Sequence, residues 1–287
     1  MPYATTKGGK IYYEETGSGH PIIFAHEFAA DYRTWEPQVR YFSRQYRCIT
    51  YNSLGYAPSD VPENAEAYVW EQQRDNIGSL MDHLGIDKAH LVGLSMGSYS
   101  ALQFALANPD RVTAVAFSSG GSASLPLDVQ PNPAEMLERA ELLLAKGWEG
   151  GGQYMSEGPS RVQLQNKDRR GWEQFRDYLF EHPIEGSAMT LRHFQAVRPT
   201  LYGFEAELRR LQTPVLLMVG DEDDAVIEVN IHLKRVLPRA GLWMAPNTGH
   251  AMNLEEPAWY NQMLAQFFSA VERGRWPARD PRAAYRG

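Results

Sequence analysis

A single cysteine among 287 residues, Cys48, excludes an internal disulfide and any metal cage built from several thiolates. It lies in "YRCITYN", a run that reads as a buried strand, so its thiol is expected in the core and not in the chemistry. No stretch approaches the roughly eighteen apolar residues of a membrane-spanning helix. The opening "MPYATTKGGKIYY" has no apolar centre of the kind a secretory signal needs. Positive charge is also scarce. With 28 Lys and Arg against 35 Asp and Glu, the formal net charge is −7, which disfavours general nucleic-acid binding because phosphate neutralisation needs a basic surface. Internal repeats and low-complexity tracts are missing too. The hydrophobic fraction, 43%, is ordinary for a globular protein. The expectation is a globular chain in a reducing, cytoplasmic setting, with no nucleic-acid or membrane partner and with homo-oligomerisation left open.

What is present is an alternation. "KIYYEETG" follows a Gly-Gly turn and reads as the second arm of a hairpin. "PIIFAHE", "YRCITYN", "KAHLVGLS", "VTAVAFSSG", "PVLLMVGD" and "GLWMAPN" are short apolar runs of the kind that strands buried on both faces of a parallel sheet require. Between them lie helix candidates: "TWEPQVRYFS", "WEQQRDNIGSLMDHLG", "MGSYSALQFALANP", "VIEVNIHLKRVLP" and "EEPAWYNQMLAQFFSAVER". In the second, Ile77, Leu80, Met81 and Leu84 form one apolar stripe. Such alternation predicts a mostly parallel central sheet with helices on both faces. It breaks once. Residues 121–211 show no strong strand and read as three helices, "PAEMLERAELLLAKGW", "RRGWEQFRDYLFEH" and "GSAMTLRHFQAV". About ninety residues is too long for a plain connection, so a helical insertion is expected over the carboxyl ends of the strands. The expected organisation is a core of residues 1–120 and 212–275, a helical cap at 121–211 and a tail at 276–287 that is either loose or a subunit contact.

"HLVGLSMGS" holds Gly93, Ser95 and Gly97 in a Gly-x-Ser-x-Gly pattern, after a strand and at the start of a helix. A nucleophile on a tight strand-to-helix turn needs small neighbours, because its backbone is strained and other segments crowd it. The turn lifts the Ser95 hydroxyl clear of the sheet, and the Met96 backbone N–H at the helix start can meet a developing oxyanion. Serine also needs a base. Of eight histidines, His250 in "MAPNTGHAMNLEEP" falls in a loop just after the last expected strand, at the same sheet edge as Ser95. His90 begins a strand, His83 and His232 sit in helices, His182 and His193 fall in the insertion, and His20 lies in a turn.

"VGDEDDAV" packs Asp221, Glu222, Asp223 and Asp224 together after an apolar run. A calcium loop starting at Asp221 would put Ala225, Val226 and His232 where an oxygen ligand, a glycine and a bidentate glutamate are needed. The cluster is therefore expected to bind no metal and to be a turn, a carboxylate partner for His250, or both.

The chain order Ser, acid, His resembles that of the α/β-hydrolases, over nearly the full length. That resemblance implies an α/β-hydrolase fold with a helical cap. Members usually carry the acid three residues after a glycine; Gly220 then selects Asp223, with Asp224 as the alternative. "IIFAHEFAADYRTW" resembles the family's oxyanion-hole loop, which makes Phe28 the second backbone donor beside Met96. Glu27 stands where a glycine is usual, and is expected to point outward, paired with an arginine or a backbone donor. His26 is expected to order the loop. Asn52 and Ala57 in "YNSLGYAPSD", and Ser98, are further departures, read as structural.

A serine nucleophile excludes the dehalogenase and epoxide-hydrolase chemistry of this fold, which uses a carboxylate. The resemblance implies a cofactor-independent serine hydrolase acting on a small-molecule carboxylic ester or lactone through an acyl-serine. The alternatives are carbon–carbon bond hydrolysis of ring-cleavage products, or amide or carbamate hydrolysis, with the same triad. Carbon–carbon hydrolases typically show Asn before the serine and Trp after the histidine; here Leu94 and Ala251 stand there. Trp148, Met155, Trp172, Phe175, Phe194 and Tyr202 are candidates for an apolar pocket or for packing. Arg192 and Arg198 are candidates for a substrate clamp or for a solvated helix face.

Overall fold

A computed structural model describes residues 2–129 and 132–283. Eight strands form one sheet: β1 (Tyr3–Thr5), β2 (Lys10–Thr16), β3 (His20–Ala25), β4 (Tyr46–Tyr51), β5 (Ala89–Leu94), β6 (Val112–Ser118), β7 (Val215–Gly220) and β8 (Ala240–Ala245). Their order is β1-β2-β4-β3-β5-β6-β7-β8. The expected hairpin is β1–β2, which pair antiparallel, and β2 pairs antiparallel with β4. From β4 to β8 every neighbour is parallel. Parallel register brings Ala25 beside Gly93, Leu94 beside Ser118 and Gly220 beside Ala245. The carboxyl ends of β3, β5, β7 and β8 therefore share one edge.

Side chains alternate across each strand, and both faces are covered. Ile23, Ala25, Leu91, Val115, Phe117, Leu217 and Val219 face α2 (Trp70–His83), α3 (Met96–Ala107) and α10 (Asp224–Val236). Ile22, Phe24, Val92, Leu94, Ala116 and Met218 face α1 (Glu36–Phe42) and α12 (Pro257–Glu272). On α2 the stripe of Ile77, Leu80 and Met81 is fully buried, with Leu84 at its margin. Each such buried aliphatic side chain stabilises the fold by about 1.5–3 kcal/mol relative to exposure, so the two layers hold the sheet edge rigidly. β8 departs from the sequence reading. As the edge strand it buries only its ends, leaves Gly241 and Trp243 half-buried and exposes Leu242 and Met244, with no ninth strand beside it among the described residues.

Between β6 and β7 the described residues form helices and no strand: α4 (Ala134–Gly151), α5 (Gln153–Glu157), α6 (Val162–Lys167), α7 (Arg169–Phe180), α8 (Ile184–Thr190) and α9 (Glu205–Arg210). Two of the three expected helices match α4 and α7. The third is divided into α8 and a π-helical turn at Leu191–Gln195. Asp168 caps α7, its side chain accepting from the Gly171 N–H at 2.9 Å. Trp148 and Trp172 are buried and donate their indole N–H to the carbonyls of His182 and Ser156. Both are packing residues of this segment.

The tail is not loose where it begins. The Trp276 indole donates to the Arg239 carbonyl at 2.8 Å, and its ring meets Phe267 edge-on. The Arg279 N–H adds a bond to the Pro238 carbonyl at 2.9 Å. The Arg239 carbonyl, which also accepts the Val215 N–H at 3.1 Å, and the Phe267 ring together anchor the start of a segment that composition alone marks as irregular. Residues 284–287 of that expectation lie outside the described residues.

Candidate active site

Ser95 sits between β5 and α3 with φ 53° and ψ −109°, a left-handed backbone that a serine rarely adopts. Its neighbours explain how that turn closes. A Cβ on Gly97 would lie 2.0 Å from the Ala25 carbonyl oxygen, and one on Gly93 would lie 2.4 Å from the Ser98 backbone nitrogen. Only glycine lets β3, the turn and α3 approach so closely. The Ser95 N–H donates to the Ser118 carbonyl at 2.8 Å. Ser98 also binds β6: its hydroxyl donates to the Ser118 carbonyl and accepts from the Ser118 N–H.

The acidic cluster resolves into one buried carboxylate and three exposed ones. Asp223 is buried, whereas Asp221, Glu222 and Asp224 are exposed. Asp223 Oδ2 lies 2.7 Å from His250 Nδ1. Asp224, the alternative, begins α10 and faces solvent. The Asp223 contact fixes the tautomer: Nδ1 carries the proton, and Nε2 is left to accept another. Burial disfavours the charged imidazole, but the Asp223 carboxylate, and after it Glu27, outweigh this. The His250 pKa is raised above its ordinary value, with Arg161 acting in the opposite direction.

Two loops are tied together around this pair. Thr248 donates its N–H to Asp221 Oδ1 at 3.2 Å, and Glu222 donates its N–H to the Thr248 carbonyl at 2.9 Å. Glu255, buried beneath the histidine loop, accepts from the Gly249 N–H at 2.6 Å and the Ala251 N–H at 3.1 Å. Gripping the backbone on both sides of His250 holds the imidazole in place. Sequence reasoning passed over Glu255, the last residue of the short helix α11 (Met252–Glu255), although a glutamate shortly after the histidine was the available signal.

The loop after β3 differs most from expectation. Glu27 is not outward. It is 2% exposed, its Oε2 lies 2.5 Å from Arg161 Nη2 and 3.6 Å from His250 Nε2, and its Oε1 has no partner among the described residues. The arginine partner was foreseen in kind; the inward direction was not. Burial is tolerable because Arg161 neutralises the charge, and because Glu27 is not among the positive-φ residues, so the position does not demand glycine. Arg161 comes from the turn Pro159–Arg161 in the helical segment, with its guanidinium 4.4 Å above the Phe175 ring and its Nε donating to the Met155 carbonyl. No local pattern in the sequence marks it, since its partner is 134 positions away.

His26 accepts from the Ser53 N–H at Nε2 and so carries its proton on Nδ1, which donates to the Glu27 carbonyl at 2.7 Å. Burial lowers its pKa to about 4, so it stays neutral and orders the loop. The Tyr56 hydroxyl donates to the Phe28 carbonyl at 2.7 Å. The Phe28 and Met96 backbone N–H groups have no acceptor among the described residues. Asn52 shapes its turn, accepting from the Tyr32 N–H and donating to the Ala57 carbonyl.

The Ser95 hydroxyl makes no hydrogen bond among the described residues, and the atom of Glu27 nearest His250 stands at Nε2. Of the other candidates, Phe194 packs edge-on to Tyr99, and Tyr202 stacks on His232. Arg192 pairs with Glu141 at the surface, and Arg198 is committed to the Ser122 carbonyl. A groove of about 780 Å³ bounded by Arg33, Leu164, Phe175 and Tyr178 includes none of Ser95, Asp223 and His250 in its lining. Its size does not make it the site: Cys48 borders it, but that thiol is buried and its pKa is pushed up by burial, so it is held as an unreactive thiol.

Residues 20–257 match the alpha/beta hydrolase fold family, well over half of the chain. The protein belongs to that family. It is 26% identical to a carboxylesterase of Bacillus subtilis (strain 168), covering 92% of this chain and 86% of that one. It is also 26% identical to a 2-hydroxy-6-oxononadienedioate/2-hydroxy-6-oxononatrienedioate hydrolase of Paraburkholderia phymatum, covering 90% of each. Among solved structures, the enol-lactonase from Burkholderia xenovorans LB400 superposes with a TM-score of 0.81 at 22% identity, covering 93% of this chain and 100% of that chain. The last likeness is one of fold.

Proposed function

We propose that the protein is a serine hydrolase that cleaves a carboxylic ester or lactone through an acyl-serine, with Ser95 as nucleophile, His250 as general base and acid, and Asp223 as its orienting carboxylate. The observation that carries this reading is the 2.7 Å contact between Asp223 and His250, on the sheet edge where the strained Ser95 turn also ends. Ser95 Oγ attacks the carbonyl carbon while its proton passes to His250 Nε2. The oxyanion meets the N–H groups of Phe28 and Met96. The acyl C–O bond then breaks, and the imidazolium returns the proton to the departing alcohol. Water, deprotonated by His250, attacks the acyl-serine and restores the Ser95 hydroxyl. With a lactone, the alcohol remains attached and the product is a hydroxy acid. The step requires Oγ to close on Nε2, and such bonds commonly tighten only when substrate is bound. No cofactor enters the scheme.

Leu94 and Ala251, beside the serine and the histidine, favour ester or lactone cleavage over carbon–carbon hydrolysis, and nothing in the scheme itself separates amides or carbamates from esters. Turnover of 4-nitrophenyl esters and simple lactones, measured beside a dienoate ring-cleavage product, tests the proposal. Ester or lactone hydrolysis is expected to lead, and Ser95→Ala to lower kcat by about a million-fold. Faster turnover of the dienoate would overturn the assignment of the bond cleaved, and activity surviving Ser95→Ala would overturn the nucleophile.

A further inference from the structure

Glu27 is a buried carboxylate that the acyl-transfer scheme does not use, at the place where an oxyanion-hole loop has least need of negative charge. Its Oε2 lies 3.6 Å from His250 Nε2, the nitrogen that must take the Ser95 proton, while Asp223 holds Nδ1 at 2.7 Å. The imidazole therefore has a carboxylate at each nitrogen. Arg161, 2.5 Å from the same Glu27 oxygen, keeps the added charge from standing alone. Every part of this group is buried: Glu27 and Arg161 are each 3% exposed at the side chain, and His250 is 10% exposed. Charge acts strongly at such range in a poorly hydrated setting.

We propose that Glu27, held by Arg161, is a positioning residue that stabilises the protonated imidazole of His250 and so sets the pH at which the base becomes available. The proposal rests on the reading of Ser95 and His250 as nucleophile and base. The charged and titratable groups acting on the ring come from three elements: Asp223 after β7, Glu27 after β3 and Arg161 from the helical segment; Glu255, at the end of the short helix that follows His250, has its carboxylate occupied by the Gly249 and Ala251 N–H groups. The signs are definite. A carboxylate at Nε2 favours the imidazolium, so its removal makes His250 a base at lower pH. A nearby guanidinium disfavours the imidazolium, so its removal moves the base to higher pH. A bracing role for the same ion pair would not give opposite displacements.

In catalysis the arrangement acts when the proton arrives. As Ser95 Oγ bonds to the acyl carbon and its proton moves to Nε2, the new imidazolium lies between two carboxylates. Arg161 offsets the second of these, so that the oxyanion nearby does not face an unbalanced negative charge. The same ion pair joins the helical segment to the β3 loop, so a residue of that segment also adjusts the base.

The test needs no knowledge of the natural substrate. A fluorophosphonate probe bonds to Ser95 Oγ through phosphorus, expelling fluoride as the serine proton passes to His250. The second-order labelling rate against pH therefore reports the His250 ionisation in the free protein. Glu27→Gln is expected to move the midpoint of the acid limb down by about one pH unit. Arg161→Met is expected to move it up, and Arg161→Lys to restore the parent midpoint. If one of the charge-removing singles does not fold, the other decides by its direction. If neither folds, the double variant Glu27→Gln/Arg161→Met, which leaves no buried unpaired charge, is expected below the parent because the nearer charge dominates. Midpoints that stay put, or that move in one direction for both singles, overturn the proposal while labelling of Ser95 keeps the hydrolase reading intact. Absence of labelling in the parent protein overturns both.

Discussion

Asp223 and Asp224 are adjacent in the chain and opposite in circumstance. One is buried against His250 Nδ1 and the other begins α10 in solvent. A one-residue step across the start of a helix reverses which side chain turns inward, so the pair provides a sharp test at the residue scale. Asp223→Asn keeps the shape but offers an N–H where Nδ1–H needs an acceptor, and so favours the wrong tautomer. It is expected to lower kcat by roughly ten-thousand-fold. Asp224→Asn is expected to stay within about 0.5 kcal/mol of the parent in stability and close to it in rate, as exposed substitutions do. Steady-state kinetics of the two variants decide; the reverse ranking would mean that Asp224 is the working acid. In the sequence it is the resemblance to the α/β-hydrolases that singles out Asp223 among the four acids, three residues after Gly220, and the structure sets that residue against His250 Nδ1. Glu27 was only half legible: its need for an arginine follows from charge, but its direction depends on Arg161, which folding brings from far along the chain.

At the scale of the element, the Ser95 turn exists because β3, β5 and α3 meet almost without space between them. Gly97 is where that closeness is greatest. A methyl group there would sit 2.0 Å from the Ala25 carbonyl, a backbone atom that cannot yield without parting β3 from β5. Gly97→Ala is expected to destabilise the fold by at least the usual overpacking cost of about 1–3 kcal/mol, and to lower the melting temperature by several degrees. Calorimetry together with labelling of Ser95 checks this. An unchanged melting temperature with normal labelling would show that the turn has more room than the geometry allows. Strands and long amphipathic helices were readable from periodicity, as in the buried Ile77, Leu80 and Met81 stripe of α2. Where periodicity is short or broken, reading failed: Leu191–Gln195 continues an apolar pattern yet winds as a π-turn, and β8 looks like an interior strand until its place at the sheet edge is known.

For the whole molecule, four loops from the carboxyl ends of β3, β5, β7 and β8 supply the groups discussed here, and one helical segment supplies Arg161 above them. Parallel register makes that convergence a property of the fold, which is why Ser95, Asp223 and His250 could be nominated from chain order. What chain order does not carry is the contact between layers. Arg161 with Glu27 is a product of tertiary packing and has no local signature, whereas Glu255 grips backbone only four and six positions before it and was marked by its place shortly after the histidine. No helix among the described residues is long and apolar enough to cross a membrane. The central claim, that Ser95 carries the acyl group, is tested most directly by quenching the protein during turnover of a 4-nitrophenyl ester and mapping the modified peptide by mass spectrometry. The account expects the acyl group on Ser95, with none formed in Ser95→Ala; an acyl group on another residue, or undiminished turnover in that variant, would contradict it.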